Sequence, residues 1–333
     1  MNSSPLIPSD LFTEKSIETK PFKNHKLKRF IYKLLFPKQV REKMALDAKN
    51  NTALRTAKNW RYLINQYDDG NLEFFSIKPK VDLGTDKIIW QYWGQGTNID
   101  EVPEVVKISF NSVDRYKGDY KVIRLDDESI KKYIDLPDFV WQKKGNNNFR
   151  LVFFSDLLRL ALLEAYGGIW IDATIVLTSA ISPNILDKNF FVFQRDPKNQ
   201  EKEIWYDFDP SYFNWDSTHL VKILSSFMVA KKNNQVIHIW LDLLLNYWKT
   251  QDSIYHYFFF QILFEELMVN DLYKMRGEII DDTLPHLLQK NMYAPYSAEK
   301  YQEITNKSAI HKLTYPKKRI PGSFYDHLAN TYL

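Results

Sequence analysis

Apolar residues recur at helical spacing at Leu27, Phe30, Ile31, Leu34 and Leu35, with lysines between them and Pro37 closing the run. That pattern predicts an amphipathic helix from about residue 26. A second helix is expected over 39–66, before the turn signal Asp68-Asp69-Gly70. The period then changes. "KIIWQYW" (87–93) reads as a buried strand, followed by a tight loop at 94–96. Residues 103–116 are helical, with Pro103 suited to the first turn. A short strand at 120–125 and a helix at 126–134 with acids at its start come next. A long helix near 149–166, strands at 168–172, 189–194 and 225–230, and helices at about 235–249 and 254–269 complete the pattern. Strands alternating with helices predict an α/β domain with a mostly parallel central sheet. The chain thus divides into a basic helical extension (1–80), whose first 19 residues form a polar, proline-punctuated tail, and an α/β domain (81–333).

The stretch "EAYGGIWIDATI" (164–175) poses the chemical question, because a wholly apolar strand ends on the carboxylate of Asp172. Ligands of open α/β sheets bind outside the carboxyl ends of strands. Asp172 and the loop after 87–93 both occupy such ends. The preceding helix is apolar nearly all round and therefore buried, yet it carries Asp156 and Arg159 three residues apart on one side. Buried charges pair with each other or serve a ligand, and spacing alone leaves both readings open.

Composition narrows the classes. With 44% hydrophobic and 15% aromatic residues the chain supports a sizeable core, and the absence of cysteine excludes disulfides and thiolate metal sites. The N-terminus lacks the order of a signal peptide. The most apolar run, 151–166, is broken by Asp156, Arg159 and Glu164, short of the roughly 18–20 residues needed to span a bilayer. A cytoplasmic protein, soluble or peripheral on a membrane, is expected. Nine Lys/Arg against Glu42 give +8 between Lys20 and Lys43, leaving −4 for the rest of a chain whose net charge is +4. The apolar stripe within this arm suits an anionic membrane surface better than nucleic acid.

"SDLLRLALLEAYGGIWIDATI" (155–175) resembles the core of the capsular polysaccharide synthesis proteins, sugar transferases related to glycosyltransferase family 32 and, more distantly, to glucosylating bacterial toxins. The likeness runs from 87–96 to 311–315. It implies a GT-A-type nucleotide-sugar fold over 81–333 and transfer of a sugar from a nucleotide donor of the UDP class, with retention of configuration. The acceptor implied is a hydroxyl of a bacterial capsular or surface polysaccharide, lipid-linked while it grows. Asp156, Arg159 and Asp172 would carry the chemistry.

By the same resemblance, Trp90, Gln91, Tyr92, Trp93 and Gly94 would cradle the base, although the alternation along the strand equally makes Trp90 and Tyr92 core residues. Ser155, Gly168, Ser226 and Lys312 would complete the donor site, with Gly167 and Gly168 bringing the strand close to the nucleotide. Asp172, Thr174 and His311 would hold a divalent ion, Mn²⁺ or Mg²⁺. Thr174 stands where the family's second metal-binding acid falls, and a hydroxyl is a weaker ligand than a carboxylate. Ser225 is a further candidate for the donor sugar, Asp216 and His219 for the acceptor side, and Gln261 for an enclosed polar position. The aromatic cluster 255–267 reads as packing. No carboxylate pair at glycosidase spacing appears. A catalytically degenerate scaffold in a membrane-bound assembly is the alternative that Thr174 favours.

Overall fold

The structure is a computed structural model and describes residues 7–12, 26–146 and 148–333, apart from the Arg29 side chain. In chain order the first elements are helices α1 (Lys26–Leu35) and α2 (Lys38–Asp68), strand β1 (Ile88–Tyr92), α3 (Glu104–Tyr116) and β2 (Lys121–Leu125). Then come α4 (Asp138–Lys144), α5 (Leu151–Tyr166), β3 (Gly168–Ile171), β4 (Ile175–Leu177), α6 (Pro183–Leu186) and β5 (Phe190–Gln194). The remainder is α7 (Lys202–Phe208), β6 (Ile223–Ala230), α8 (Gln235–Thr250), α9 (Phe259–Val269), α10 (Leu287–Asn291), α11 (Ala298–Lys307), β7 (Ile310–Lys312) and α12 (Phe324–Tyr332).

The central sheet has the order β2-β1-β3-β6-β5. β2 and β3 both pair parallel with β1, while β6 is antiparallel to β3 and β5 to β6. Four strands therefore share one direction and β6 alone is reversed. β4 and β7 form a separate antiparallel pair that the sequence reading missed, because two three-residue strands far apart in sequence leave no local periodic signal.

The Gly-Gly turn has a steric cause. Gly167 ends α5 at φ +72°, ψ −161°, a region open essentially to glycine alone. At Gly168 (φ +98°) an added Cβ would lie 2.5 Å from the carbonyl oxygen of Ile88 on β1. The close approach expected there is thus made to the neighbouring strand rather than to a ligand. Gly168 starts β3, at the opposite end of the strand from Asp172.

Three expectations shift. The helix expected at 126–134 is only a 3-10 turn over Ser129–Lys132, because the Tyr133 carbonyl accepts from Lys80 N and Tyr166 Oη instead of from a following turn. The helix expected from 254 starts at Phe259, after His256 Nδ1 has accepted from the Phe258 N–H. The division at 80/81 does not separate two cores, since Trp60, Leu63 and Ile64 of α2 pack in one cluster with α5, α8 and α9. Most of the polar tail expected over 1–19 lies outside the described residues. Within it, however, Phe12 is buried against Trp60 and Tyr247.

Candidate active site

Asp172 follows β3 directly, and its N–H donates to Ser226 O of β6 at 2.8 Å. The residue is thereby held at the carboxyl edge of the sheet, between β3's parallel neighbour β1 and its reversed neighbour β6. Its carboxylate is shared. Oδ1 accepts from Trp170 Nε1 at 2.7 Å and Arg159 Nη2 at 3.3 Å, and Oδ2 accepts from Lys312 Nζ at 3.3 Å.

Arg159 reaches this point from the interior of α5, with a side chain 3% exposed. Its Nη1 lies 3.1 Å from Asp156 Oδ1 and donates to Ser225 O at 2.8 Å, while Nη2 also donates to Ser155 Oγ at 3.2 Å. The ion pair that spacing suggested is real, and the same two side chains also line a cavity. Lys312 arrives from β7. The pairing of Ile175 with Lys312, and a hydrogen bond from Leu313 N to Thr174 O, fix its backbone.

The cavity has a volume of about 290 Å³, at the small end of small-molecule sites. Asp156, Arg159, Asp172, Asp209, Ser225, Ser226, Gln261 and Lys312 supply charged and polar lining, and Phe208, Tyr212, Phe213, Tyr257 and Phe258 an aromatic wall. Gln261 Nε2 donates to Ser225 Oγ at 3.1 Å, and its Oε1 has no partner. A buried acceptor without a partner thus belongs to a residue of the cavity wall. Behind the aromatic wall Arg195, paired with buried Asp282 at 2.7 Å, donates to the carbonyls of Asn214 and Tyr212 and pins the loop that carries them.

Two carboxylates share one guanidinium, but their surroundings push them apart in acidity. Burial lifts the Asp156 carboxyl to about 7, against the pull of Arg159. Burial also acts upward on Asp172, but Arg159 and Lys312, helped by Trp170 and Ser226, outweigh it and hold that group below its usual value. Asp172 is therefore the fixed anion. Asp156 in the folded chain keeps its proton up to about pH 7, whereas the unfolded chain loses it near 3.8. The folded state binds the extra proton in that window, so this group's contribution to stability falls as pH rises from about 4 to about 7. Asp156→Asn should flatten the decline, measured as the difference between wild-type and variant denaturant midpoints at pH 5 and pH 7.5. Equal slopes in the two proteins would remove the basis for a protonated Asp156.

The residues expected to hold a divalent ion do not fit one. His311 alternates with Lys312 on β7 and is wholly buried on the other face, away from the cavity, where burial lowers its imidazole to about 3. Thr174 Oγ1 accepts from Lys312 Nζ at 2.7 Å, so the ammonium lies between the other two supposed ligands. Among the described residues no group of three His, Asp or Glu side chains is placed to bind a metal.

Three of the five residues expected to cradle the base are committed within the protein. Trp90 is core and donates from Nε1 to Gly167 O, buried Gln91 accepts from Arg124, and Tyr92 donates to Asp127. None of Trp90, Gln91, Tyr92, Trp93 or Gly94 lines the cavity. A Cβ on Gly94 would lie 2.6 Å from Tyr92 Oη, and Trp93 is partly exposed beside Tyr315. Ser155 reaches the site through Arg159, and Ser226 through Asp172. Asp216 is exposed, His219 is buried against Tyr212 O, and neither lines the cavity.

Tyr212, His286 and Gln289 do line it and were not singled out, and Tyr257 and Phe258, from the cluster read as packing, line it as well. Their segments carry no motif, and tertiary folding alone brings them together.

A family model described as capsular polysaccharide synthesis protein matches residues 39–328. The chain is also similar to O-glycosyltransferase braB of Annulohypoxylon truncatum, 29% identical over 184 residues, which are 52% of this chain and 40% of the relative. A second relative is O-glycosyltransferase PaGT of Phomopsis amygdali, 22% identical over 186 residues, 53% of this chain and 42% of that protein. The chain thus spans less than half the length of either relative. Among solved structures, "PaToxG Glycosyltransferase" matches at a TM-score of 0.36 and 16% identity, covering 80% of this chain and 100% of that one.

Proposed function

The chain belongs to the capsular polysaccharide synthesis protein family, and from that premise we propose that it is a glycosyltransferase whose cavity at Asp172 takes a nucleotide sugar of the UDP class. The sugar passes to a hydroxyl of a growing capsular or surface polysaccharide. The observation that carries this reading is the convergence of Arg159 and Lys312 on Asp172 at the carboxyl edge of the sheet. Four co-directional strands with one reversed neighbour suit a nucleotide-sugar fold of the GT-A type.

The chemistry follows from the charges. The bond from the anomeric carbon to the phosphate oxygen breaks, and its electron pair leaves with the diphosphate. Cations preorganised where that charge develops stabilise the transition state. Asp172 holds both cations in place, and Gln261 and the serines of β6 are set to accept or donate to sugar hydroxyls. Of the carboxylates that line the cavity, Asp156 and Asp172 are both committed to Arg159, and Asp209 accepts from Ser211 N and Oγ. Front-face attack, with the departing phosphate oxygen taking the acceptor's proton, suits this arrangement and retains configuration.

The acceptor is lipid-linked in this reading. No helix among the described residues is long and apolar enough to cross a membrane, so α1 would bring the catalytic face to its substrate from the surface of the inner leaflet.

A donor screen tests the proposal. The purified chain should release nucleoside diphosphate from at least one UDP-sugar, faster with an oligosaccharide acceptor present. Silence across UDP-, GDP-, CDP- and dTDP-sugars would instead favour a scaffold that keeps the fold without the activity.

A further inference from the structure

We propose that the Lys312 ammonium stands in this protein where a divalent cation stands in a two-carboxylate site, and that it neutralises the leaving diphosphate without a metal. The inference rests on the nucleotide-sugar reading of the cavity and goes beyond it by naming the group that carries the charge.

Three observations lead there. Lys312 Nζ sits 2.7 Å from Thr174 Oγ1 and 3.3 Å from Asp172 Oδ2, within the same Asp-x-Thr element that would otherwise present two ligands to an ion. Its backbone is held by the β4–β7 ladder, so the amine is aimed by secondary structure rather than by a free loop. Its side chain is 23% exposed and lines the cavity, so it faces a ligand while remaining tied to Asp172. A lysine acts on phosphate as a point charge. A threonine hydroxyl in place of a second acid removes one negative charge, which suits a neighbouring monovalent ammonium better than a doubly charged ion. When the anomeric carbon–oxygen bond breaks, the electron pair settles on the phosphate oxygen. Lys312 and Arg159 face that oxygen, and the acceptor's proton then neutralises it.

Calorimetry of the full chain with UDP, GDP, CDP and dTDP tests this, in EDTA and in Mn²⁺. At least one nucleotide should bind in EDTA, with affinity changing by less than about threefold on adding Mn²⁺. Lys312→Gln should weaken that binding at least about tenfold in both media. Lys312→Ala serves as the second variant, and thermal melts confirm that each remains folded. Binding that vanishes in EDTA and returns with Mn²⁺ overturns the inference, as does a folded Lys312→Gln protein that binds like wild type. Failure of every nucleotide in both media sinks the donor reading of the cavity, and with it this role for Lys312, an outcome distinct from metal-dependent binding.

Discussion

Sugar transfer should fall at least about a hundredfold when Asp172 is replaced by asparagine, while the fold stays intact. The change is nearly isosteric, and the amide oxygen can still accept from Trp170 Nε1, which lies 2.7 Å from Oδ1. The amide nitrogen is then left facing Lys312 Nζ, a donor against a donor where the carboxylate oxygen now lies 3.3 Å away. Lys312 loses its ion pair, and Arg159 keeps only Asp156, whose carboxyl burial has lifted to about 7. Both cations are displaced or over-concentrated at the moment when the diphosphate needs them preorganised. The loss should therefore fall mainly on kcat, with an unchanged thermal melt as the control for folding. Turnover within a few-fold of wild type would sink the assignment of Asp172 to the donor site.

Much of the fold was legible because periodicity survives burial. α5 was visible as sixteen residues without glycine or proline, and β1, β3 and β6 as apolar runs of strand length. The segments misread were those in which a tertiary hydrogen bond outcompetes the local one, as at the Tyr133 carbonyl. The boundary at 80/81 followed the change of period near residue 87. It missed that Trp60 donates from Nε1 to Phe259 O across 199 residues of chain.

The site divides in the same way. Asp156, Arg159 and Asp172 lie within 17 residues of sequence, and a helix, a turn and a strand suffice to bring them together. Lys312 and His311 became candidates only through resemblance, and which of them faces the cavity is a matter of strand phase. Adjacent residues on β7 point to opposite faces, and the short β4–β7 pairing that sets the phase left no mark in the sequence. Three residues of the expected base cradle are lost to it for a related reason. In a strand buried on both faces, Trp90, Gln91 and Tyr92 all find protein partners. The aromatic wall from Tyr212, Tyr257 and Phe258 comes from loops, of which the one carrying Tyr212 is held by the Arg195–Asp282 pair.

Vesicles of anionic lipid should bind the chain, and disrupting the stripe of α1 should weaken that binding at least about a hundredfold. An apolar stripe of this kind serves either as a membrane face or as a face packed on the rest of the chain. In the structure Leu27, Phe30, Leu34 and Leu35 are 64–73% exposed, so the domain does not cover them. Lys26, Lys28 and Lys33 of the same helix are exposed as well. At about 1 kcal/mol per basic residue near an anionic surface, these three alone contribute roughly 3 kcal/mol. Insertion of the apolar stripe adds to that. Deleting the arm outright is a poor test, since Phe12 packs on Trp60 and Gln251 Nε2 donates to Pro8 O, and both contacts would be lost. Leu27→Glu combined with Phe30→Glu and Leu34→Glu changes only the exposed face. Co-sedimentation with vesicles containing phosphatidylglycerol should show wild type in the pellet and the triple variant in the supernatant, with neither pelleting on neutral phosphatidylcholine. Equal pelleting of the two proteins would mean that α1 is not the membrane contact, whatever the catalytic domain transfers.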